Sequence, residues 1–300
     1  MVIKTNQPRY APLKDLNYQL MKLCRANRDG SFSTQATRKS ILNRIANQLH
    51  ELGYKHMQAK SLKPKHVDAL VSLWKDQDLS VGTLKNLLSG LRWWARHVGK
   101  DDMIPKDNNA FDIGKRSQVG TESKAWELKE TQLERVSDPY VRLSLRLQAA
   151  FGLRREEAIK FRPNYAIKDD HIKLKASWTK GGRARTVPIR TDEQRRLLEE
   201  VRKLAKGGAL IPPNKNFIKQ RNHYDRQVRN AGLKNPHGLR HAYAQRRYEE
   251  LTGWKAPVAS GPASKSLNSD QCALDKRARE TISRELGHVR EEISARYLGR

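Results

Sequence analysis

The sequence predicts a mainly α-helical chain with one small β-hairpin, arranged as a helical N-terminal domain followed by an α+β domain. Three observations carry that expectation. Apolar residues recur at three- and four-residue steps through most of the chain, the spacing that lines one face of a helix. One stretch, 171–189, reads instead as two β-like runs broken at Gly181-Gly182, the pattern of a hairpin. At 300 residues the chain has the length of two ordinary domains, and a Gly-, Pro- and charge-rich segment separates its two apolar-patterned parts.

After a short leader ending near Pro12, Ile41, Leu42, Ile45, Leu49 and Leu52 form one stripe, with Thr34 or Thr37 available as a cap. Val67, Leu70, Leu73 and Trp74 follow Pro64. Leu84, Leu87, Leu88, Leu91, Trp94 and Val98 follow Ser80 and stop at Gly99. The rings of Trp93 and Trp94 have the shape to stack on bases, but aromatic residues at helical spacing are read first as core. Lys39, Arg44, Lys85, Arg92 and Arg96 make the polar faces of this bundle basic. Gly99, Pro105, Gly114 and Gly120 mark residues 99–122 as linker-like. The domains are therefore set at 1–110 and 125–300, with the linker at 111–124. The second domain shows helical patterns over 128–136, 141–153, 192–204, 217–231, 237–251, 274–286 and 291–297. The Gly-, Pro- and Ser-rich run 253–269 is expected to be an exposed loop or insertion.

Charge narrows the function. Lys and Arg number 60 against 32 Asp and Glu, a net of +28, and the sequence pI is about 10.3. Residues 1–110 hold 19 basic and 9 acidic side chains, a net of +10, and the remainder carries +18. Two basic halves suit one polyanion, most simply DNA, whose counterions are released when phosphates meet Lys and Arg. The plain alternative is a cationic surface that keeps the chain in solution. No apolar run reaches the roughly 18–20 residues of a membrane span, and no secretory signal follows Met1. A cytoplasmic, nucleoid-associated protein is expected. Cys24 and Cys272 lie far apart without CxxC spacing, which indicates neither a disulfide framework nor a zinc module. His223, His237, His241 and His288 have no zinc-ligand spacing, and neither a Walker loop nor a carboxylate cluster is present. No cofactor and no metal are expected.

Four short segments place polar residues where a fold alone does not demand them: Gly152-Leu-Arg154-Arg155-Glu156-Glu157, Thr179-Lys180-Gly-Gly, Pro236-His237-Gly-Leu-Arg240-His241, and Leu286-Gly-His288 followed nine positions on by Tyr297. Singly, each has an ordinary reading. Arg154 and Glu157 make a helix-face pair, Lys180 a turn lysine, His237 a helix start and Tyr297 a packing aromatic.

In this order and spacing the four segments resemble the tyrosine recombinases, the phage-integrase family of site-specific DNA recombinases. The resemblance covers roughly 125–300 by motif, and the basic helical first half agrees with that family's DNA-clamping core-binding domain. It implies a core-binding domain joined to an α+β catalytic domain. It also implies a catalytic set of Arg154, Lys180, His237, Arg240, His288 and the nucleophile Tyr297, with Glu157 orienting Arg154. The residue types suit phosphodiester cleavage. A phenol is a weak nucleophile at its ordinary pKa of about 10, and guanidiniums fork onto non-bridging oxygens as an ammonium does not. By the resemblance, His237 is the base, His288 a phosphate donor and Lys180 the acid for the 5′ oxygen.

The product implied is a 3′-phosphotyrosyl bond with a free 5′ hydroxyl, without ATP or metal, in the integration or excision of a mobile element. Lys173, Lys175 and Arg183 are expected on the DNA backbone, and Tyr243 and Tyr248 in packing or DNA contact. The implied partner is double-stranded DNA with inverted half-sites, bound by a dimer on one duplex and a homotetramer on two. The sequence ends three residues beyond Tyr297, where relatives continue into a segment that docks on a neighbouring subunit. The run 253–269 is expected to make such contacts instead. Few residues precede the first helices, so core-type sites alone are expected. A type IB topoisomerase-like relaxing enzyme and an inert DNA-binding accessory protein are the other classes that fit.

Overall fold

The computed structural model describes residues 15–115, 119–288 and 290–300; the leader before Pro12 and residues 116–118 of the expected linker lie outside them. Contacts divide the chain into two units, Met1–Arg116 and Ser117–Arg300. Among the described residues no helix is long and apolar enough to cross a membrane.

The first unit packs α1 (Asp15–Ala26), α2 (Phe32–Glu51), α3 (Pro64–Asp76) and α4 (Val81–His97) around one core. Ser31 and Ser80 cap α2 and α4, each hydroxyl accepting the backbone N–H three residues on. α1 lies outside the stripes expected from the sequence, although Leu16, Leu20 and Cys24 lie on one buried face at four-residue steps. The tryptophans are core: Trp74 and Trp94 are fully buried and Trp93 nearly so. Their indole N–H groups are satisfied, Trp74 by Gln48 Oε1 and Trp94 by the Ala59 carbonyl, both at 2.9 Å. The linker-like stretch begins differently from its expectation. Arg92 donates to the Pro105 carbonyl and to Asn108 Oδ1, and Ile104 and Ile113 are buried in this core. Two isolated isoleucines are enough to anchor a segment whose overall composition is polar.

The second unit contains α5 (Glu130–Leu133), α6 (Pro139–Phe151), α7 (Arg155–Ile159), α8 (Pro163–Ala166), β1 (His171–Leu174), β2 (Arg185–Pro188), α9 (Asp192–Ala205), α10 (Phe217–Asn230), α11 (Gly238–Thr252), α12 (Ser269–Glu285) and α13 (Ala295–Leu298). α6 and α11 are central because each feeds two cores. Leu143, Leu147 and Phe151 of α6 and Tyr243 and Tyr248 of α11 join the larger cluster. Val141, Leu145 and Leu239 join the smaller one. A helix apolar on both sides is buried on both sides. The C-terminal end of α6 and the N-terminal end of α11 meet beneath the candidate site.

β1 and β2 pair antiparallel, with His171 opposite Pro188 and Leu174 opposite Arg185. The connection runs over 175–184 and is longer than the tight Gly-Gly turn expected. Trp178 explains the difference. It turns into the core beside Phe161 and Tyr165, which draws residues 176–178 out of the ladder into a 3-10 turn. The run 253–269 is also less loose than expected. Ala256 is fully buried, Val258 packs on the larger core, and Ser264 Oγ accepts from Arg279 Nη2 at 3.2 Å.

Candidate active site

α6 ends in Gly152, whose φ of +62° turns the chain out of the helix; a Cβ there would lie 2.5 Å from the ring of Tyr243. Two residues later Arg154, in extended conformation, caps α7. The third residue of that helix, Glu157, reaches back, and its Oε2 accepts the Arg154 backbone N–H at 2.7 Å. Glu157 Oε1 accepts from Arg154 Nη1 at 2.9 Å. Both carboxylate oxygens also receive the fork of Arg185, at 2.9 and 2.7 Å. Glu157 is completely buried. Burial by itself would raise its pKa, but the Arg185 hydrogen bonds and charge, with Arg240 and Arg154, bring it down to about 2.

Arg240 lies in the first turn of α11 and is fully buried. Its Nη1 donates to the Gly152 carbonyl, its Nη2 to the Leu286 carbonyl and, at 3.3 Å, to His288 Nε2. Its Nε donates to the Tyr297 hydroxyl at 3.3 Å. A guanidinium only donates, so His288 Nε2 is the acceptor, and the neutral ring carries its proton on Nδ1. Among the described residues Arg240 has no carboxylate within hydrogen-bond distance. Burial therefore depresses its pKa, to about 10, more than the surrounding groups restore it.

Tyr297 is 3% exposed. Its ring centroid lies 4.6 Å from that of His241, 5.6 Å from His288 and 6.1 Å from His237. Main-chain contacts hold its short helix. Gln245 donates to the Tyr297 carbonyl at 3.1 Å, Gly120 N–H to the Ala295 carbonyl at 2.9 Å, and the buried Arg279 to the Gly299 carbonyl at 2.9 Å.

The three imidazoles are kept neutral. Desolvation first, then the charge of Arg240 and Arg154, lowers His237 to about 4 and His288 to about 3. His237 is set this way although the residue is exposed. Desolvation, followed by His237 and Lys124, lowers His241 to about 4. The unfolded chain protonates these rings near pH 6.5 and the folded chain only near 3–4, so stability is lost as pH falls through that window. Chemical-denaturation midpoints are expected to drop from pH 7 to pH 4. The His288→Gln variant should show a shallower drop; a slope equal to that of the unsubstituted protein would contradict this account. Glu157 adds a further loss only below its ordinary value of 4.5.

The structure thus brings together Arg154, Glu157, His237, Arg240, His288 and Tyr297. Lys180 is exposed on the 175–184 connection, without a hydrogen bond or ion pair to them among the described residues. Lys39, Lys173, Lys175 and Arg183 are exposed and Lys85 half-buried, while Arg44 lies near Gln77 at 3.5 Å and Arg96 near Asp101 at 3.3 Å. Arg92 is committed to Pro105 and Asn108. Tyr243 and Tyr248 are buried, donating to Glu285 and Asp275.

Two residues at the site were not assigned a role from sequence. His241 lies one helical turn beyond His237, the spacing that puts both on one face. Arg185 lies on β2 two and four residues before the inward-facing Val187 and Ile189, so strand alternation itself marks it as an arginine pointing inward.

A helical bundle followed by a mixed domain that gathers two arginines, three imidazoles and a tyrosine is the architecture of an enzyme that breaks and rejoins DNA strands. The family model described as "Phage integrase, N-terminal" matches residues 13–104, and that described as "Integrase" matches 113–246. The chain belongs to the phage-integrase family of tyrosine recombinases. Arg154, Glu157, Lys180, His237 and Arg240 fall inside the matched span; His288 and Tyr297 lie beyond it.

No curated protein matches the sequence significantly. Solved structures resemble the fold. A lambda integrase dimer bound to a COC′ core site matches with a TM-score of 0.60 and 16% identity, over 95% of this chain and 78% of that one. The XerH site-specific recombinase in a post-cleavage complex with a palindromic difH substrate matches at 0.58 and 18%, over 95% and 81%. The Tn1549 transposon integrase in complex with circular intermediate DNA matches at 0.54 and 14%, over 95% of each chain.

Proposed function

We propose that this protein is a site-specific recombinase that cuts and rejoins DNA through a 3′-phosphotyrosyl intermediate, in the integration or excision of a mobile element. The observation that supports this most is the Tyr297 hydroxyl resting on Nε of a buried arginine, with three neutral imidazoles around its ring. The hydroxyl accepts from Arg240, so its own proton is free to leave toward a base. His237, neutral and exposed, takes it once the scissile phosphate offsets the Arg240 and Arg154 charges that hold its pKa down in the free protein. The phenolate oxygen attacks the scissile phosphorus, the O–P bond to Tyr297 forms, and the P–O5′ bond breaks. Arg154 has donors left after pairing with Glu157, and with Arg240 it meets the non-bridging oxygens as their charge grows. Lys180, on its exposed loop beside Lys173, Lys175 and Arg183, gives a proton to the departing 5′ oxygen. Attack of a 5′ hydroxyl on the phosphotyrosine reverses every step, which conserves the ester and requires no ATP.

The basic surface and the resemblance to DNA-bound integrases support duplex DNA with inverted half-sites as substrate, bound by a dimer on one duplex and a homotetramer on two. Nicked suicide DNA carrying the element's ends is expected to trap a covalent adduct; its absence would sink the recombinase reading. Adduct formation together with relaxation of a plasmid lacking the site would indicate a topoisomerase. Lys180→Ala is expected to slow cleavage by about 10²–10⁴-fold, the usual worth of a positioned acid. A substrate with sulfur replacing the bridging 5′ oxygen should recover most of that rate, since a thiolate leaves without a proton. Failure of the sulfur substrate to recover the rate would remove Lys180 from this role.

A further inference from the structure

We propose that Arg185 is a positioning residue that holds three parts of the reaction centre in register: the Arg154–Glu157 turn, the Glu285–His288 turn and the loop bearing Lys180. The proposal rests on the recombinase reading above. The Arg185 side chain is 6% exposed, and three of its five donors are committed. Nη1 and Nη2 fork onto the two oxygens of Glu157, the carboxylate that aims Arg154. Nε donates to the Glu285 carbonyl at 2.8 Å. Glu285 is itself fixed from its other side, its carboxylate accepting from Tyr243 at 2.6 Å and Arg247 at 3.1 Å. The next carbonyl, of Leu286, holds Arg240.

Gly287 follows with φ +69°, and a Cβ there would lie 2.8 Å from Cδ of Arg185. The bare backbone lets the arginine pass beneath the turn that carries His288. In the other direction Arg185 begins β2, directly after the 175–184 connection, opposite Leu174. One side chain therefore ties the Arg154 element to the His288 element at the point where the Lys180 loop re-enters the sheet. An ammonium on a flexible stem does not make the fork and the Nε bond together.

The test is the pH profile of single-turnover adduct formation on suicide DNA. The groups facing Glu157 are Arg154 on its own turn, Arg185 on β2, and Arg240 with His237 on and before α11; Arg155 and Glu156 are engaged outward with Asp225 of α10 and with Lys160. With Arg185 in place Glu157 stays ionised across the assay range. In Arg185→Gln the buried carboxyl loses its strongest partner and takes up a proton within that range. Cleavage should then fall about tenfold more than for the unsubstituted protein between about pH 8 and about pH 5, one pKa unit being a factor of ten. The double variant R185Q/E157Q should lose this extra acid limb. DNA affinity should stay within about threefold, because surface cations carry it.

A role confined to folding would act only through the folded fraction, so profiles for R185Q and the unsubstituted protein that run parallel once each rate is divided by the fraction folded at that pH, read by circular dichroism, overturn the proposal. Should R185Q fail to fold, Arg185→Lys keeps the charge without the fork and is expected to cleave about tenfold more slowly, the scale of a lost charged hydrogen bond. Cleavage by R185K at the unsubstituted rate overturns the proposal equally. If the unsubstituted protein itself forms no adduct, the recombinase reading falls, and this inference with it.

Discussion

Replacing Tyr297 with Phe is expected to abolish the covalent protein–DNA adduct entirely while leaving a folded protein that still shifts its DNA in a gel. The substitution removes one oxygen. The ring keeps its packing against His237, His241 and His288, and the backbone keeps the contacts from Gln245 and Arg279. What is lost is the acceptor for Nε of Arg240, a charged hydrogen bond whose removal costs about 1–3 kcal/mol. The melting temperature should fall by roughly 2–4 °C for each of those kcal/mol. DNA binding, carried by surface cations, should be unchanged. Tyr243 and Tyr248 offer no substitute nucleophile, being buried and bonded to Glu285 and Asp275. An adduct that survives in Tyr297→Phe would show that another residue is the nucleophile.

Arg240→Ala is expected to damage both stability and chemistry. The wild-type guanidinium is the donor to the Gly152 and Leu286 carbonyls, which end α6 and begin the turn of His288. Truncation leaves two buried carbonyls without that donor, and a cavity between α6, α11 and α12. The cost is about 3–5 kcal/mol, which thermal unfolding should read as a fall of roughly 6–20 °C. Removing a phosphate donor should lower single-turnover cleavage by at least about 10²–10³-fold. Arg240→Lys keeps the charge but does not reach both carbonyls and the phosphate at once, so it should recover part of the stability and little of the rate. A melting temperature unchanged in Arg240→Ala would refute the packing argument. Cleavage at the unsubstituted rate in Arg240→Lys would refute the need for a fork. Under the proposed reaction the same geometry would suit an anion: Arg240 is a buried cation with no carboxylate within hydrogen-bond distance among the described residues, and the scissile phosphate would supply its partner.

The parts of the fold legible in the sequence are those fixed by local periodicity. The stripes ending at Leu49, Trp74 and Val98, and the long apolar α6, carry their own signal, because one turn of helix places the next apolar residue on the same face. α1 falls outside the expected stripes despite its four-residue steps, and α5 is a single short turn within the expected 128–136. The hairpin connection is longer than its sequence suggests because nothing near Gly181-Gly182 reveals that Trp178 finds its partners in Phe161 and Tyr165. The run 253–269 has a loop's composition for the same reason. Its anchors, Arg279 and the larger core, are distant in sequence or contributed by other elements.

By itself the sequence determined the chemistry available: which residues can attack, donate or take a proton, their order along the chain, and an excess of positive charge that suits a polyanion. Those are properties of side chains and of near neighbours. Only the tertiary structure decided that Arg240 is buried against two carbonyls and a phenol, that His241 lies against Tyr297, and that Arg185 joins Glu157 to the turn before His288. Such contacts join residues 28 to 100 positions apart, and the energy of burying a charge depends on what surrounds it, which no local pattern encodes.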